Sequence, residues 1–246
     1  MPTMTHGETS IYYEEHGTGF PVLCFAPGGM NSSIESWRNI RGYSPINELA
    51  DSFRVIVFDQ RNAGQSRAPI KATDGWSEFA DDAVRLIDHL GLESLHVMGN
   101  CIGPSFIMKL LEHLGPDAIR VRAFVSKSPI GLSPINRGLH MHMFYRWAET
   151  LSPEVSPGMW HEAASLAAFC QNMHGGDFVF SVSRDFVRTV KTPMLVLPGS
   201  DLFHPEAVAR EIVQIAPNAE LFPDWRDDPE TEKRRIRAFL QQHSPS

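Results

Sequence analysis

Cysteine is scarce: Cys24, Cys101 and Cys170 are the only three in 246 residues. An odd, widely spaced set cannot build a disulfide framework, and none has the close neighbours of a zinc site or a redox pair. A reduced, cytoplasmic setting is the expectation, and neither a metal nor a cofactor is implied. Basic charge is also short, with 22 Lys and Arg against 29 Asp and Glu, a net charge of −7. Phosphate binding needs clustered Lys and Arg, so nucleic acid is not an expected partner. The one basic run, Lys233-Arg234-Arg235 with Arg237, is mixed with acids on a helical stretch and reads as a solvated face. The sequence has no basic N-terminal region leading into an apolar run, and no segment of membrane-spanning length, so a membrane is not an expected partner either. Internal repeats and low-complexity tracts are absent. Nothing in the composition sets the oligomeric state.

What is present is an ordinary globular balance, 42% hydrophobic and 21% charged, at a length that suits one large α/β domain with or without an insert. Short Val/Ile/Leu/Phe runs predict strands at 10–15, 21–26, 53–59, 94–98, 121–126, 193–198 and 219–222. Helical periodicity falls between them at 77–90, 102–114, 206–215 and 230–242. Continuous apolar strands separated by helices point to a mainly parallel sheet covered on both faces. Such sheets bind ligands beyond the carboxyl ends of their strands. The alternation breaks once, from Gly131 to Val190, in a stretch dense in Met, His and aromatic residues. It predicts a helical cap at 131–190 over a core made of 1–130 and 191–246. The plainer alternative is a helical subdomain whose apolar residues are all core.

The most informative five residues are Gly99-Asn100-Cys101-Ile102-Gly103. They follow a short strand and open a helix with apolar Ile102, Phe106, Leu110 and Leu114. A nucleophile on a sharp strand-to-helix corner needs small residues two positions to either side. The helix start then offers free N–H groups that favour a thiolate and the oxyanion it creates. Cys24, inside an apolar strand, reads as core by contrast.

With that elbow placed, the chain resembles the α/β-hydrolase family over nearly its whole length. Ala26-Pro27-Gly28-Gly29-Met30, with Trp37 downstream, stands where the family has its oxyanion loop. Asp59-Gln60-Arg61-Asn62-Ala63-Gly64-Gln65-Ser66 is similar to the family's Asp-x-Arg-Gly-x-Gly-x-Ser turn, with Asn62 in place of Gly. Leu197-Pro198-Gly199-Ser200-Asp201 matches the segment that carries the family's acid. The resemblance implies a central, mainly parallel sheet with helices on both faces and an inserted helical cap. It also implies acyl-transfer chemistry, with an oxyanion hole from the backbone N–H of Ile102 and one from the Gly28–Met30 loop, Gly29 first and Met30 second.

Two departures shape the mechanism. Cys101 replaces the usual Ser; a thiol is more nucleophilic and easier to ionise, which suits esters, thioesters and lactones. Cysteine-elbow members of the family include dienelactone hydrolases. The second departure is the base. The family carries a His in the loop after its last strand, but Leu221 to Glu230 contains none, and His243 lies beyond the final helix. The nearest replacement is His204, three residues after Asp201, a spacing that lets the carboxylate hold one ring nitrogen and leaves the other for a thiol. The alternatives are that His204 caps the next helix and Asp201 only shapes a turn, or that His140, His142 or His174 of the insert supplies the base. The expected function is a hydrolase using Cys101, His204 and Asp201 on an ester, thioester or lactone of a small apolar substrate, through an acyl-enzyme. Transfer of the same acyl group to another acceptor, and a non-catalytic small-molecule binding protein, are the competing readings.

Overall fold

Alternation of apolar strands and amphipathic helices produces a twisted, largely parallel sheet in the computed structural model, which describes residues 2–40, 42–151 and 163–245. Strands β1 (Thr3–His6), β2 (Thr9–His16) and β3 (Phe20–Phe25) precede short helices α1 (Ile34–Arg38) and α2 (Pro45–Glu48). Then follow β4 (Phe53–Phe58), α3 (Trp76–His89), β5 (Leu95–Asn100), α4 (Gly103–Leu114) and β6 (Val121–Lys127). Helices α5 (Arg137–Ala148), α6 (Ala163–His174) and α7 (Arg184–Thr189) lie between β6 and β7 (Met194–Leu197). The chain closes with α8 (Glu206–Ile215), β8 (Ala219–Leu221) and α9 (Pro229–His243).

The eight strands described run in the order β1-β2-β4-β3-β5-β6-β7-β8. β1 and β2 are antiparallel at one edge, and every pair from β4 to β8 is parallel. The order reverses between β3 and β5, and the crevice at such a switch point is where an open α/β sheet binds its ligand. Alternate residues serve opposite faces. Leu23, Phe25, Ile56 and Phe58 join the core under α3 and α4, while Val22, Cys24, Val55 and Val57 join the core under α1, α2 and α9. Each such fully buried side chain contributes about 1.5–3 kcal/mol through removal from water. Burial pushes the Cys24 thiol well above its ordinary pKa, as befits a core residue.

The expected strands and long helices fall at the expected positions, within a residue or two. β1 was not expected. It is a four-residue edge strand with only Met4 buried, too short and too polar to show a period. The short helices α1 and α2 were not expected for the same reason of length. Between Gly131 and Val190 the described residues form helices and connecting loops and add no strand to the sheet. Pro153, Pro157, Met159, Trp160 and His161 lie outside the described residues. No helix among the described residues is long and apolar enough to cross a membrane.

Candidate active site

Cys101 sits at the switch point, on the corner between β5 and α4, with φ of 61°. A non-glycine residue in this left-handed region is strained, and the surroundings hold it there. Its N–H donates to Lys127 O at 3.1 Å, and its carbonyl accepts from Ile130 N–H at 3.0 Å. The flanking glycines are needed for space. A Cβ on Gly99 would lie 2.5 Å from Gly103 C, and one on Gly103 would lie 2.4 Å from Phe25 O. Helix and strand therefore approach closely enough to push the thiol out over the sheet edge.

Across the crevice lies the loop after β3. Asp59 shapes it from the neighbouring strand end, accepting from Ile34 N–H and Gln65 N–H at 2.7 Å each. In the same Asp59-to-Ser66 turn, Asn62 takes φ of 60°, the left-handed conformation that Asn accommodates readily. Arg61 forms a buried two-point pair with Asp82, at 2.7 and 3.0 Å, fastening the turn to α3. The backbone N–H groups of Gly28 and Ile102 face the sulfur of Cys101. Gly29 and Met30 follow Gly28 and line the same cavity. Of that loop, the N–H turned to the sulfur is that of Gly28, the residue before Gly29.

Asp201 and His204 meet in a single turn after β7. His204 Nδ1 lies 2.8 and 2.9 Å from the two Asp201 carboxylate oxygens. Asp201 Oδ1 also accepts from the backbone N–H groups of Phe203 and His204, at 2.8 and 3.0 Å, so one carboxylate fixes both the turn and the ring. The remaining ring nitrogen, His204 Nε2, is buried without a fixed hydrogen-bond partner of good geometry. It faces Cys101, and each group alters the other's ionisation. Burial alone would raise the Cys101 thiol, but the adjacent His204 ring and its charge, with the two N–H groups, leave it below its ordinary pKa. Burial alone would lower His204. Cys101, and behind it Asp201, outweigh that and raise it from 6.5 to about 9. The combination favours a thiolate beside an imidazolium.

A cavity of about 420 Å³ opens above Cys101 and His204, walled by Ile130, Phe144, Trp147 and Phe203. His140 and His174 also line it, with ring centroids 5.9 Å apart. Burial holds their pKa values at about 4 and about 3, so both are neutral near pH 7. His142, two residues from His140 on α5, points outward and is exposed. Of the insert histidines considered as bases, the structure brings His140 close enough to His204 to feel its charge. The group coupled to the Cys101 thiol is His204.

The loop after β8 holds something else. The Lys127 ammonium pairs with Glu232 in the interior and lies 4.5 Å from the centre of the Trp225 ring. Trp225 Nε1 donates to Pro198 O at 3.0 Å, closing the loop onto the end of β7. Sequence reasoning missed this arrangement, along with the buried His140–His174 pair. A buried Lys at a strand end and a Trp in the His-free loop were its only signals.

Fold and crevice together define the class. A family model described as alpha/beta hydrolase fold matches residues 21–175, and the chain belongs to that family. Over 126 residues it is 36% identical to a protein of Azorhizobium caulinodans to which carbamate hydrolase activity is ascribed (RutD), covering 51% of this chain and 44% of that one. Over 127 residues it is 34% identical to 2-hydroxymuconate semialdehyde hydrolase of a Pseudomonas strain, covering 51% and 42%. The matches thus span less than half the length of these two relatives. Among solved structures, an N-acyl homoserine lactone degrading enzyme, Est816, superposes with a TM-score of 0.67 at 23% identity, covering 97% of this chain and all of that one. At that identity the likeness is one of fold.

Proposed function

We propose that this protein is a cysteine-dependent hydrolase of an ester, thioester or lactone whose acyl part is small and largely apolar. The observation that carries the reading is the Asp201–His204–Cys101 series at the carboxyl ends of β5 and β7, with Cys101 and His204 lining the cavity. A hydrolase name on the relatives in the family agrees with it. The segment 131–190 acts as a cap, because α5 supplies Phe144 and Trp147 to the cavity wall. A thiolate is best preserved in a reducing compartment, which fits a cytoplasmic enzyme.

The Cys101 thiolate attacks the substrate carbonyl carbon, and the electron pair of the C=O bond moves onto oxygen. The N–H groups of Ile102 and Gly29 receive that oxyanion, with Gly28 beside them; each such donor contributes on the order of a hundredfold in rate. As the carbonyl re-forms, the bond to the leaving oxygen or sulfur breaks, and the His204 imidazolium gives it a proton. A thioester on Cys101 remains. His204, now neutral and oriented by Asp201, takes a proton from water as that water attacks the thioester. Collapse releases the carboxylic acid and restores the thiolate and imidazolium.

Steady-state hydrolysis of short activated esters and lactones tests this, with the Cys101→Ala variant as control. Turnover by the wild-type chain and none by Cys101→Ala is the expected result. Ligand binding without turnover would establish the binding-protein reading, and product formation only with an added thiol or alcohol acceptor would establish acyl transfer.

A further inference from the structure

The acid and the base share one short loop, and Asp201 on it is 60% exposed at the side chain. Cys101 is fixed on a different strand. The separation between base and nucleophile therefore depends on whatever ties this loop to the elbow. The segment leaving β6, residues 128–136, makes that tie. Ile130 N–H donates to the carbonyl of Cys101 itself, at 3.0 Å, and Ser128 N–H donates to Leu197 O at 2.7 Å, where β7 ends. Gly131 lets the segment pass beneath α8, since a Cβ there would come within 2.6 Å of Val208 Cγ1 and 2.8 Å of Phe178 O.

At the end of the segment stands Asn136, buried to 1% exposure. Its Oδ1 accepts from Ser133 N–H at 2.8 Å, and its Nδ2 donates to Gly131 O at 2.8 Å and to Leu202 O at 2.9 Å. Leu202 lies inside the turn between Asp201 and His204. One amide thus joins the segment bonded to the nucleophile with the turn that bears the base. We propose that Asn136 is a positioning residue that sets the placement of His204 against Cys101. It touches neither the sulfur nor the ring. Because α5 begins at Arg137 and lines the cavity, the same amide also ties the placement of this helix to the base.

The proposal rests on the reading that His204 acts on Cys101, and its test separates the two. The pH dependence of Cys101 alkylation by iodoacetamide, mapped by mass spectrometry, is compared for wild type, Asn136→Ala, His204→Ala and the double variant, with melting temperatures alongside. Asn136→Ala is expected to move the thiol pKa upward by about one unit, a roughly tenfold slower alkylation at neutral pH. In the His204→Ala background it is expected to add no further shift. A purely structural amide would lower the melting temperature and leave the pH profile where it was. That outcome, beside a shifted His204→Ala profile, would overturn the proposal, as would a full additional shift in the double variant. A wild-type profile in His204→Ala would overturn the base and this role together. Should Asn136→Ala fail to fold, Asn136→Ser adds no charge, keeps a hydroxyl for the segment and lacks the amide that reaches Leu202 O, and is read in the same way.

Discussion

Two loops leave the carboxyl edge of the sheet on neighbouring strands, after β7 and after β8, and they treat charge in opposite ways. In the first, Asp201 stays partly in water and orients His204, whose second nitrogen is buried without a fixed partner and faces a thiol. In the second, the Trp225 ring lies against the Lys127 ammonium that pairs with Glu232, and the indole N–H, ammonium and carboxylate are all engaged with one another or with backbone. A buried polar group left without a good partner costs stability, so the first loop keeps a reactive atom available while the second closes the end of the sheet. The comparison teaches what sets the proposed base apart: a buried ring nitrogen without a fixed partner, on a ring whose other nitrogen is held by a carboxylate.

Substitutions break or sharpen this contrast. The largest effect is expected at the nucleophile, where Cys101→Ala should reduce ester turnover at least about ten-thousandfold in initial-rate assays. Next comes the second loop. Lys127→Met leaves Glu232 buried without its cation and should destabilise the fold by about 3–5 kcal/mol in urea unfolding. Replacing Lys127 and Glu232 together by apolar residues should recover most of that loss. In the first loop, His204→Ala should slow acylation by a short activated ester by at least about a hundredfold, measured in single turnovers. Trp225→Ala should cost only about 1–2 kcal/mol of stability and should leave the turnover of folded protein near wild type. A collapse of turnover with retained fold in that variant would erase the distinction between the loops.

The smallest effect is a pH dependence. His204 holds its proton more tightly in the folded chain than its ordinary value of 6.5 allows. Its stabilising contribution is therefore complete below about pH 6.5 and is lost as pH rises through about 9. The melting-temperature gap between wild type and His204→Ala should accordingly narrow across that window.

Most of this architecture was legible in the residues, for identifiable reasons. Apolar runs such as Val55-Ile56-Val57-Phe58 announce buried strands by composition alone, and the Gly99-to-Gly103 pattern announces its corner by steric need. The Asp201–His204 spacing was legible as well, because a contact across one turn depends only on local chain geometry. What escaped depends on distance along the chain. Asn136 meets Leu202 across 66 residues, and Lys127 meets Glu232 across 105. Neither pair leaves a period or motif behind. The neutrality of His140 and His174, two of the insert residues read as alternative bases, likewise comes from burial that tertiary packing creates around them.

The central claim is that Cys101 carries the acyl group and that His204, from the loop after β7, drives its formation and release. Rapid acid quench of the protein mixed with an activated short-chain ester, followed by peptide mass mapping, tests it most directly. The account predicts an acyl adduct on the peptide containing Cys101 that forms and decays in wild type, and that forms at least about a hundredfold more slowly in His204→Ala. An adduct on another residue, or equal rates of formation in the two proteins, would contradict it.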